Sequence, residues 1–197
     1  MSLTVRPLTA ETFEDFADVV NPNRRDTHCW CMSFRLSAAE MRELADTREG
    51  AMRAVAGGDP SPGLVGYDAD GRPVAWCSIS PRTAIPRLEA SAKMPRIDDV
   101  DVWSIICLVV RGGCRRAGTT TELLEAAVAY AAEHGAPAVE AYPVDNRAAD
   151  GTPERIDTTM AYCGTWSMFD RAGFTQVGTT EAQGSKRPRI VMRRTCS

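Results

Sequence analysis

The chain has 197 residues, of which 44% are hydrophobic and 25% charged, with a formal net charge of -3 at pH 7. These values are typical of one globular domain and exclude a disordered or fibrous protein. The slightly acidic balance argues against nucleic acid as a partner. The sequence has no run of about 18 apolar residues, which a membrane-spanning helix would need. The N-terminus lacks the apolar core of a signal peptide, and the seven cysteines are scattered along the chain. We therefore expect a cytoplasmic protein with reduced thiols and with no nucleic-acid or membrane partner.

Strand-like and helix-like segments alternate along the sequence. In chain order we expect a strand over 3–8, a helix over 13–20, a helix from 37 to about 56, strands over 63–67 and 73–80, a strand over 102–110, a helix from about 118 to 134, a strand over 138–142, a helix near 162–172 and strands around 174–178 and 190–193. Ser37 and Glu40 form a capping box, and Asp70-Gly71 is typical of a hairpin turn. The sequence predicts a single α/β domain over residues 1–197, with a mixed β-sheet flanked by helices on both faces.

The stretch from Cys107 to Leu124 carries the clearest functional signal. An apolar strand runs into a turn rich in Gly and Arg, and the turn leads directly into an amphipathic helix. Thr119 and Glu122 have the spacing of a capping box where that helix should begin. Backbone amides at a helix N-terminus, together with adjacent arginines, form a ready site for a phosphate or pyrophosphate. A tight strand–helix turn with solvated arginines would explain the same residues, and the spacing fits neither a Walker A loop nor a dinucleotide turn.

The same turn resembles the phosphate loop of the GNAT superfamily, the acetyl-CoA-dependent N-acetyltransferases, as found in bacteria. That loop has the pattern Arg/Gln-x-x-Gly-x-Gly/Ala, and this sequence has Arg115-Arg116-Ala117-Gly118-Thr119-Thr120. A second segment, Ser167-Met168-Phe169-Asp170-Arg171-Ala172-Gly173-Phe174, is similar to the late helix of the family, which ends in Gly-Phe before the next strand. The order of elements agrees as well, so the resemblance covers most of the chain.

The resemblance implies that acetyl-CoA is the co-substrate and that no metal is needed. The main chain of Leu108, Val109 and Val110 is then expected to pair with the pantetheine arm, because a splayed strand leaves its amides free. The residues expected to hold the pyrophosphate are Arg115, Arg116, Ala117, Gly118, Thr119 and Thr120. Two positions depart from the family pattern, since Gly112 stands where proline is frequent and Thr120 stands where Gly or Ala is usual.

The catalytic residues of the family are not found at their usual places. Ser104 stands at the position of the family's glutamate base, and Phe169 stands at that of its tyrosine acid. Serine alone is not a base, and phenylalanine has no proton to give. The replacement candidates are Glu140, Asp101, Tyr142 and Tyr162. A carboxylate base is expected to be partly desolvated, with a raised pKa; a base acting through water, or positioning alone, would also serve.

The segment His28-Cys29-Trp30-Cys31-Met32 has two interpretations. Its His and Cys side chains are metal ligands by type, but no further pair completes a metal site at the usual spacing. Alternatively, the segment is an apolar wall of the acceptor pocket, and we expect no metal. Under this interpretation the residues expected in the substrate pocket are Trp30, Phe34, Ser104 and Tyr142.

Two function hypotheses follow. The leading one is transfer of the acetyl group of acetyl-CoA to a primary amine of a small molecule or peptide, by direct attack in a ternary complex. The alternative is a non-catalytic acyl-CoA or anion-binding module with the same fold, which the residues Ser104 and Phe169 would support. No motif identifies the acceptor, and the family resemblance allows a homodimer.

Overall fold

Seven strands form one mixed sheet in the part of the chain that the computed structural model describes, which is residues 3–26, 28–45, 47–115, 118–157 and 161–196. The strands are β1 (Thr4–Pro7), β2 (Gly63–Tyr67), β3 (Pro73–Pro81), β4 (Trp103–Val110), β5 (Ala138–Ala141), β6 (Thr175–Gly184) and β7 (Arg187–Thr195). The helices are α1 (Phe13–Val20), α2 (Ala38–Leu44), α3 (Arg48–Ala56), α4 (Pro86–Glu89), α5 (Thr119–Glu133) and α6 (Trp166–Arg171).

The sheet contains one pair of parallel neighbours. The strands lie in the order β1-β2-β3-β4-β5-β7-β6, and only β4 and β5 run parallel. These two pair over three positions, from Trp103 with Val139 to Ile105 with Ala141. β5 ends there, whereas β4 continues to Val110, so the two strands separate. We call the resulting gap along the free edge of β4 the β4–β5 opening.

Helices cover both faces of the sheet, as the sequence predicts. α5 and α6 pack on one face, through residues such as Leu123 and Phe169. α1 and the segment 28–36 pack on the other face, where the ring of Phe16 lies 4.4 Å from that of Trp76 in β3. We call this second side the α1 face. Burial of apolar side chains on both sides explains why the central strands are apolar almost throughout.

A β-bulge interrupts β4 beside the opening. Ser78 of β3 pairs with Cys107, whereas Ile79 pairs with Ile105, so Ile106 is an extra residue on β4. Side chains normally alternate between the two faces of a strand, but the bulge puts Ile106 and Cys107 in succession on the α1 face. The apolar run of β4 has no period from which this bulge could be predicted.

The single helix expected from 37 to about 56 is two helices. Ala45 has an extended backbone (φ -167°, ψ 157°), which ends α2. Thr47 then caps α3, because its side chain accepts a hydrogen bond from the amide of Gly50 at 3.0 Å. The predicted capping box of Ser37 and Glu40 at the start of α2 is present.

Two further boundaries differ from those expected. The helix near 162–172 is only the six residues of α6, because the carbonyl of Tyr162 accepts from Leu108 of β4 and that of Gly164 accepts from Val144. The last two strands are longer than expected and form the hairpin of β6 and β7. None of the described helices is long and apolar enough to cross a membrane.

Candidate active site

The N-terminus of α5 follows directly on the loop after β4. Gly118 precedes the helix and has a left-handed backbone conformation (φ 84°, ψ -11°). No described side chain caps this end: Thr119 Oγ1 donates to the carbonyl of Cys114 (3.0 Å), and the carboxylate of Glu122 accepts from the amide of Leu3 (2.7 Å). The predicted capping box of Thr119 and Glu122 is therefore wrong. The amides of the first turn are left for an anion in front of the helix.

Open space lies in front of this helix end. Among the described residues, a Cβ atom at Gly118 would meet nothing nearer than Glu122 Oε1 at 3.8 Å, so a phosphate can approach the backbone here. A side chain at this φ would cost about 1–2 kcal/mol in strain. Thr120 is half-buried in the first turn. Arg116 and Ala117, which were also expected to hold the pyrophosphate, lie outside the described residues.

Two arginines of the loop bind main-chain carbonyls of the protein itself. Arg115 Nε donates to the carbonyl of Val110 (3.0 Å), and Arg111 Nη2 donates to that of Asp18 (3.1 Å). Both arginines are exposed. Each can therefore exchange its carbonyl for a phosphate oxygen, which would be a stronger, charge-assisted partner.

The segment 161–165 lies in the β4–β5 opening. The amide of Leu108 donates to the carbonyl of Tyr162 (2.7 Å), and Cys163 Sγ donates to the carbonyl of Ile106 (2.9 Å). The expectation that the Leu108 amide is free is therefore wrong. The reason is that another part of the chain pairs with the edge of β4 from which β5 has separated.

Near the end of β4, successive residues direct their backbone N–H and C=O groups alternately towards β3 and towards the opening. The amide of Arg111 donates to the carbonyl of Val74 in β3 (2.9 Å), so the groups of Val109 also point to β3. By the same alternation, Leu108 and Val110 point to the opening. Because the Leu108 amide is already bonded, a ligand in the opening has Val110 as its natural main-chain partner.

The side chain of Glu140 links β5 to β7 through an ion pair with Arg193. Its side chain is buried, with Oε1 accepting from Arg193 Nη2 (2.6 Å) and Nε (3.0 Å) and Oε2 accepting from the hydroxyl of Tyr142 (3.1 Å). Arg193 also donates to both oxygens of Asp98 (2.7 and 2.8 Å), and these bonds, followed by those to Glu140, raise the pKa of Arg193. Both oxygens of Glu140 are thus already bonded, which does not match a free base.

Tyr142 extends this network to β4. Its hydroxyl accepts from Arg82 Nη1 (2.5 Å) and lies 3.3 Å from Ser104 Oγ. Burial, and next the charge of Glu140, raise the pKa of Tyr142, so the phenol stays protonated at neutral pH. Ser104 and Glu140 lie in register on the two parallel strands. The structure thus brings three predicted site residues together in one buried network.

Asp101 lies at the opposite end of β4 from the opening. Its side chain is 87% exposed and lies 3.7 Å from Arg96. Ile106, at the bulge, is five residues further along, or about 16 Å in an extended chain. The exposed position of Asp101 does not match the desolvated base that the sequence predicts.

Tyr162 lies in the opening itself. Its ring is 5.5 Å from that of Phe34, and the guanidinium of Arg189 lies over it at 5.2 Å. The side chain is half-buried, and burial raises the pKa of Tyr162. Of the predicted catalytic candidates, Tyr162 is the one that the structure places in the opening.

Trp30 packs in the core of the α1 face. Only 1% of its surface is exposed, and its ring lies 6.1 Å from Phe13 and 6.0 Å from Phe16. This placement does not match the pocket wall expected for Trp30. Phe34, beside Tyr162, is the aromatic residue of this segment that borders the opening.

The cysteines next to His28 bind other partners. Cys31 Sγ donates to Cys107 Sγ (3.0 Å), and Cys29 Sγ lies 2.8 Å from Ser33 Oγ. Among the residues whose placement is described, no group of three or more His, Cys, Asp or Glu side chains is arranged to hold a metal ion.

Arg35 is a buried charged residue that the sequence analysis missed. It lies on the α1 face, where Nη1 donates to Ser80 Oγ and Nη2 donates to Ser78 Oγ and the carbonyl of Pro62, each at 3.1 Å. The sequence feature that could have indicated this residue is the position of one arginine within the largely apolar segment 28–36.

A cavity of about 600 Å³ lies elsewhere, between α5 and the β1–β2 edge of the sheet. Its lining includes Val5, Leu64, Tyr130 and His134. None of the predicted site residues borders it. The predicted site residues therefore lie away from this cavity.

A mixed sheet whose one parallel pair opens beside the N-terminus of a long helix is the architecture expected of an acetyltransferase. The family model described as the Acetyltransferase (GNAT) family matches residues 22–155, more than half of the chain. The chain belongs to this family. The match spans β4, the loop after it and α5, which confirms the family expected from the sequence. The comparison with curated proteins finds no match.

Solved acetyltransferase structures share the fold over nearly the whole chain. A Corynebacterium glutamicum structure, described as histone acetyltransferase HPA2 and related acetyltransferase, has 18% identity and a TM-score of 0.55, covering 99% of this chain and 97% of that one. The PaiA N-acetyltransferase of Thermoplasma acidophilum, solved with coenzyme A, has 14% identity and a TM-score of 0.53, covering 99% of both chains. At these identities the similarity establishes the fold alone.

Proposed function

We propose that this protein is an acetyl-CoA-dependent N-acetyltransferase that acts on a primary amine of a small molecule or peptide. One observation carries the proposal: the uncapped N-terminus of α5, preceded by Gly118, lies beside the end of the opened strand β4. Membership of the acetyltransferase family supports acetyl as the group transferred, and the neighbour solved with coenzyme A supports coenzyme A as its carrier. The free thiols of all seven cysteines support a reducing compartment, the cytoplasm.

Residues at the start of α5 bind the pyrophosphate in this proposal. The amides of Gly118, Thr119 and Thr120 donate to it, and the positive end of the helix dipole stabilises its charge. Arg115 adds a charge-assisted bond after releasing the Val110 carbonyl. The pantetheine arm then pairs with the main chain of Val110, which faces the opening.

The acceptor amine attacks the thioester carbon directly. A C–N bond forms and the C–S bond breaks, the nitrogen loses a proton to water, and the CoA sulfur leaves as a thiolate that takes up a proton. Ser104 is buried against Tyr142, and both oxygens of Glu140 are bonded. We therefore assign most of the catalysis to positioning an amine that is already neutral. Tyr162, protonated and in the opening, is the candidate donor to the thiolate.

A non-catalytic acyl-CoA-binding module is the second candidate. The observation that favours it is that Phe169, at the position of the family's acid, is a buried core residue. Ser104, at the position of the base, is likewise fully buried.

A thiol-release assay separates the two candidates. Acetyl-CoA is mixed with the protein and a panel of amino acids, diamines, aminoglycosides and a peptide with a free N-terminus, and mass spectrometry measures the acetylated amine. We expect one class of amine to be acetylated in step with the release of free CoA. Binding of acetyl-CoA without acetylation of any amine would favour the module, and no binding would contradict both.

A further inference from the structure

Arg35 is a buried cation with no anionic partner among the residues that the structure describes. Only 4% of the residue is exposed, and the three oxygens that it contacts are the neutral ones of Ser78, Ser80 and Pro62. Its Nε–H is buried and has no hydrogen-bond partner among the described residues. Nor does any described carboxylate lie within 4.0 Å of the guanidinium, whereas buried charges in proteins are normally paired.

Two other arginines of this region show the usual arrangement. Arg82 is 1% exposed and pairs with Glu89 at 3.0 Å. Arg193, less buried, pairs with both Glu140 and Asp98. The lack of a counter-charge among the described residues therefore distinguishes Arg35 from these two arginines. Burial lowers the pKa of Arg35 to about 10, so the side chain still carries its charge at neutral pH.

Arg35 lies close to the bulge of β4, beside the β4–β5 opening, where we place the acceptor amine. Ser80, which it contacts, pairs in register with Ser104 of β4, and Ser78 pairs with Cys107 at the bulge. Paired residues on neighbouring strands put their side chains on the same face, and the strands are about 4.8 Å apart. The guanidinium thus lies one strand away from the bulge, on the α1 face. Phe34, the residue before Arg35, borders the opening.

We propose that Arg35 recognises an anionic group, namely a carboxylate, on the acceptor, so that the substrate is an amino acid whose amine is acetylated. This inference rests on the proposed acetyltransferase function and narrows its substrate class. A carboxylate two bonds from the amine can reach a guanidinium one strand away while the amine is at the bulge. Its oxygens accept from the planar guanidinium, and the hydroxyl of Ser80, which accepts from Arg35, keeps a proton to donate to them.

Matched substrates test the proposal without assuming which amino acid is used. The probes are the amino acids and their carboxamides, which differ only in the carboxylate, and the measurement is kcat/KM for acetylation. We expect every accepted amino acid to exceed its amide by at least about tenfold, the size of a charged hydrogen bond. In Arg35→Met this ratio should fall to about 1. Arg35→Lys should restore part of the ratio.

An arginine from the same surroundings provides the control. Arg87 is exposed and donates to the carbonyl of Ser33, in the same segment as Arg35. Arg87→Met should leave the ratio unchanged. Equal rates for acids and amides in the unmutated protein, or an undiminished ratio in Arg35→Met, would overturn the proposal.

A binding measurement keeps the proposal separate from the function on which it rests. Calorimetry compares N-acetyl amino acids with their amides on the CoA-loaded protein and needs no turnover. Tighter binding of the acids, lost in Arg35→Met, supports carboxylate recognition even where no amine is acetylated. Equal binding of acids and amides overturns it even where acetylation occurs. Should Arg35→Met not fold, Ser80→Ala takes its place, with a smaller loss of the same preference.

Discussion

Two residues that are catalytic candidates by sequence, Glu140 and Tyr162, have opposite surroundings. The carboxylate of Glu140 is buried and bonded on both oxygens, which joins β5 to β7 through Arg193 and to Tyr142. The ring of Tyr162 is half-buried in the β4–β5 opening, next to Phe34. Spacing along the chain cannot distinguish these cases, because the partners of Glu140 come from distant segments.

Glu140→Gln is expected to affect stability and not the chemical step. The amide keeps the shape of the side chain but loses the charge that compensates partly buried Arg193, at a cost of about 2 kcal/mol in the free energy of unfolding. Urea unfolding measures this loss, with exposed Glu125→Gln as the control that should change nothing. The folded variant should keep its rate, and the pH midpoint of that rate should follow the pKa of the acceptor amine. A stable variant without activity would instead identify Glu140 as the base.

Tyr162→Phe is expected to slow the chemical step. The substitution keeps the ring beside Phe34 but removes the proton proposed for the leaving thiolate, so kcat should fall by about tenfold to a hundredfold while acetyl-CoA binding is unchanged. Tyr67→Phe is the matched control, since its hydroxyl binds Asp15 away from the opening. Steady-state kinetics on the three proteins measures the effect. Equal kcat values for all three would rule out Tyr162 as the donor.

At the scale of elements, the functional strand and helix could be predicted, but the geometry between them could not. The apolar run ending at Val110, the Gly118 turn and the amphipathic α5 each carry a sequence pattern with a physical cause. The bulge at Ile106 does not, because an apolar run lacks the alternation that a bulge would disturb. The predicted helix begins at Tyr162, yet the carbonyl of Tyr162 bonds to Leu108 of β4 and that of Gly164 bonds to Val144, which only the tertiary structure determines.

Because the segment 161–165 occupies part of the β4–β5 opening, we can predict which backbone amide of β4 is protected from hydrogen exchange when acetyl-CoA binds. The Leu108 amide is already donated to Tyr162, so its hydrogen exchange should be slow with or without ligand. The Val110 amide faces the opening and should exchange more slowly when acetyl-CoA binds. Residue-resolved exchange measured by NMR tests both statements. If acetyl-CoA left Val110 unchanged, the proposed path of the pantetheine arm would be wrong.

For the whole molecule, ion pairs predict how stability depends on pH. Hydrogen bonds from arginine side chains lower the pKa of several carboxyls, which include Glu14 beside Arg53, Asp98 beside Arg193 and Asp145 beside Arg147. Each folded-state pKa is below its unfolded value near 4, so the unfolded chain binds more protons in acid. Their stabilisation is complete above about pH 5 and is lost as the pH falls through the folded-state pKa values. Urea midpoints measured from pH 7 to pH 3 should decline; constant midpoints would contradict this.

The sequence therefore predicts the class of the whole molecule better than its site. The order of strands and helices, and the loop from Arg115 to Thr120, are local patterns, and the fold and family that they predict are confirmed. The environments of Glu140 and Arg35 depend on residues far away in the chain. A carboxylate that is fully bonded and a guanidinium with no counter-charge among the described residues look alike in sequence, where each is one charged residue among apolar ones.

Calorimetry with acetyl-CoA tests the central claim, that the N-terminus of α5 is the binding site of the acyl donor. Gly118→Asp puts a carboxylate in front of this end, where it should repel the pyrophosphate and fill its place. Gly135→Asp is the matched control: Gly135 has a similar φ of 78°, equally open surroundings and a position about 25 Å away, past the other end of α5. The account predicts binding by the unmutated protein and by Gly135→Asp, and no measurable binding by Gly118→Asp. Binding by a folded Gly118→Asp variant equal to that of the unmutated protein would contradict it.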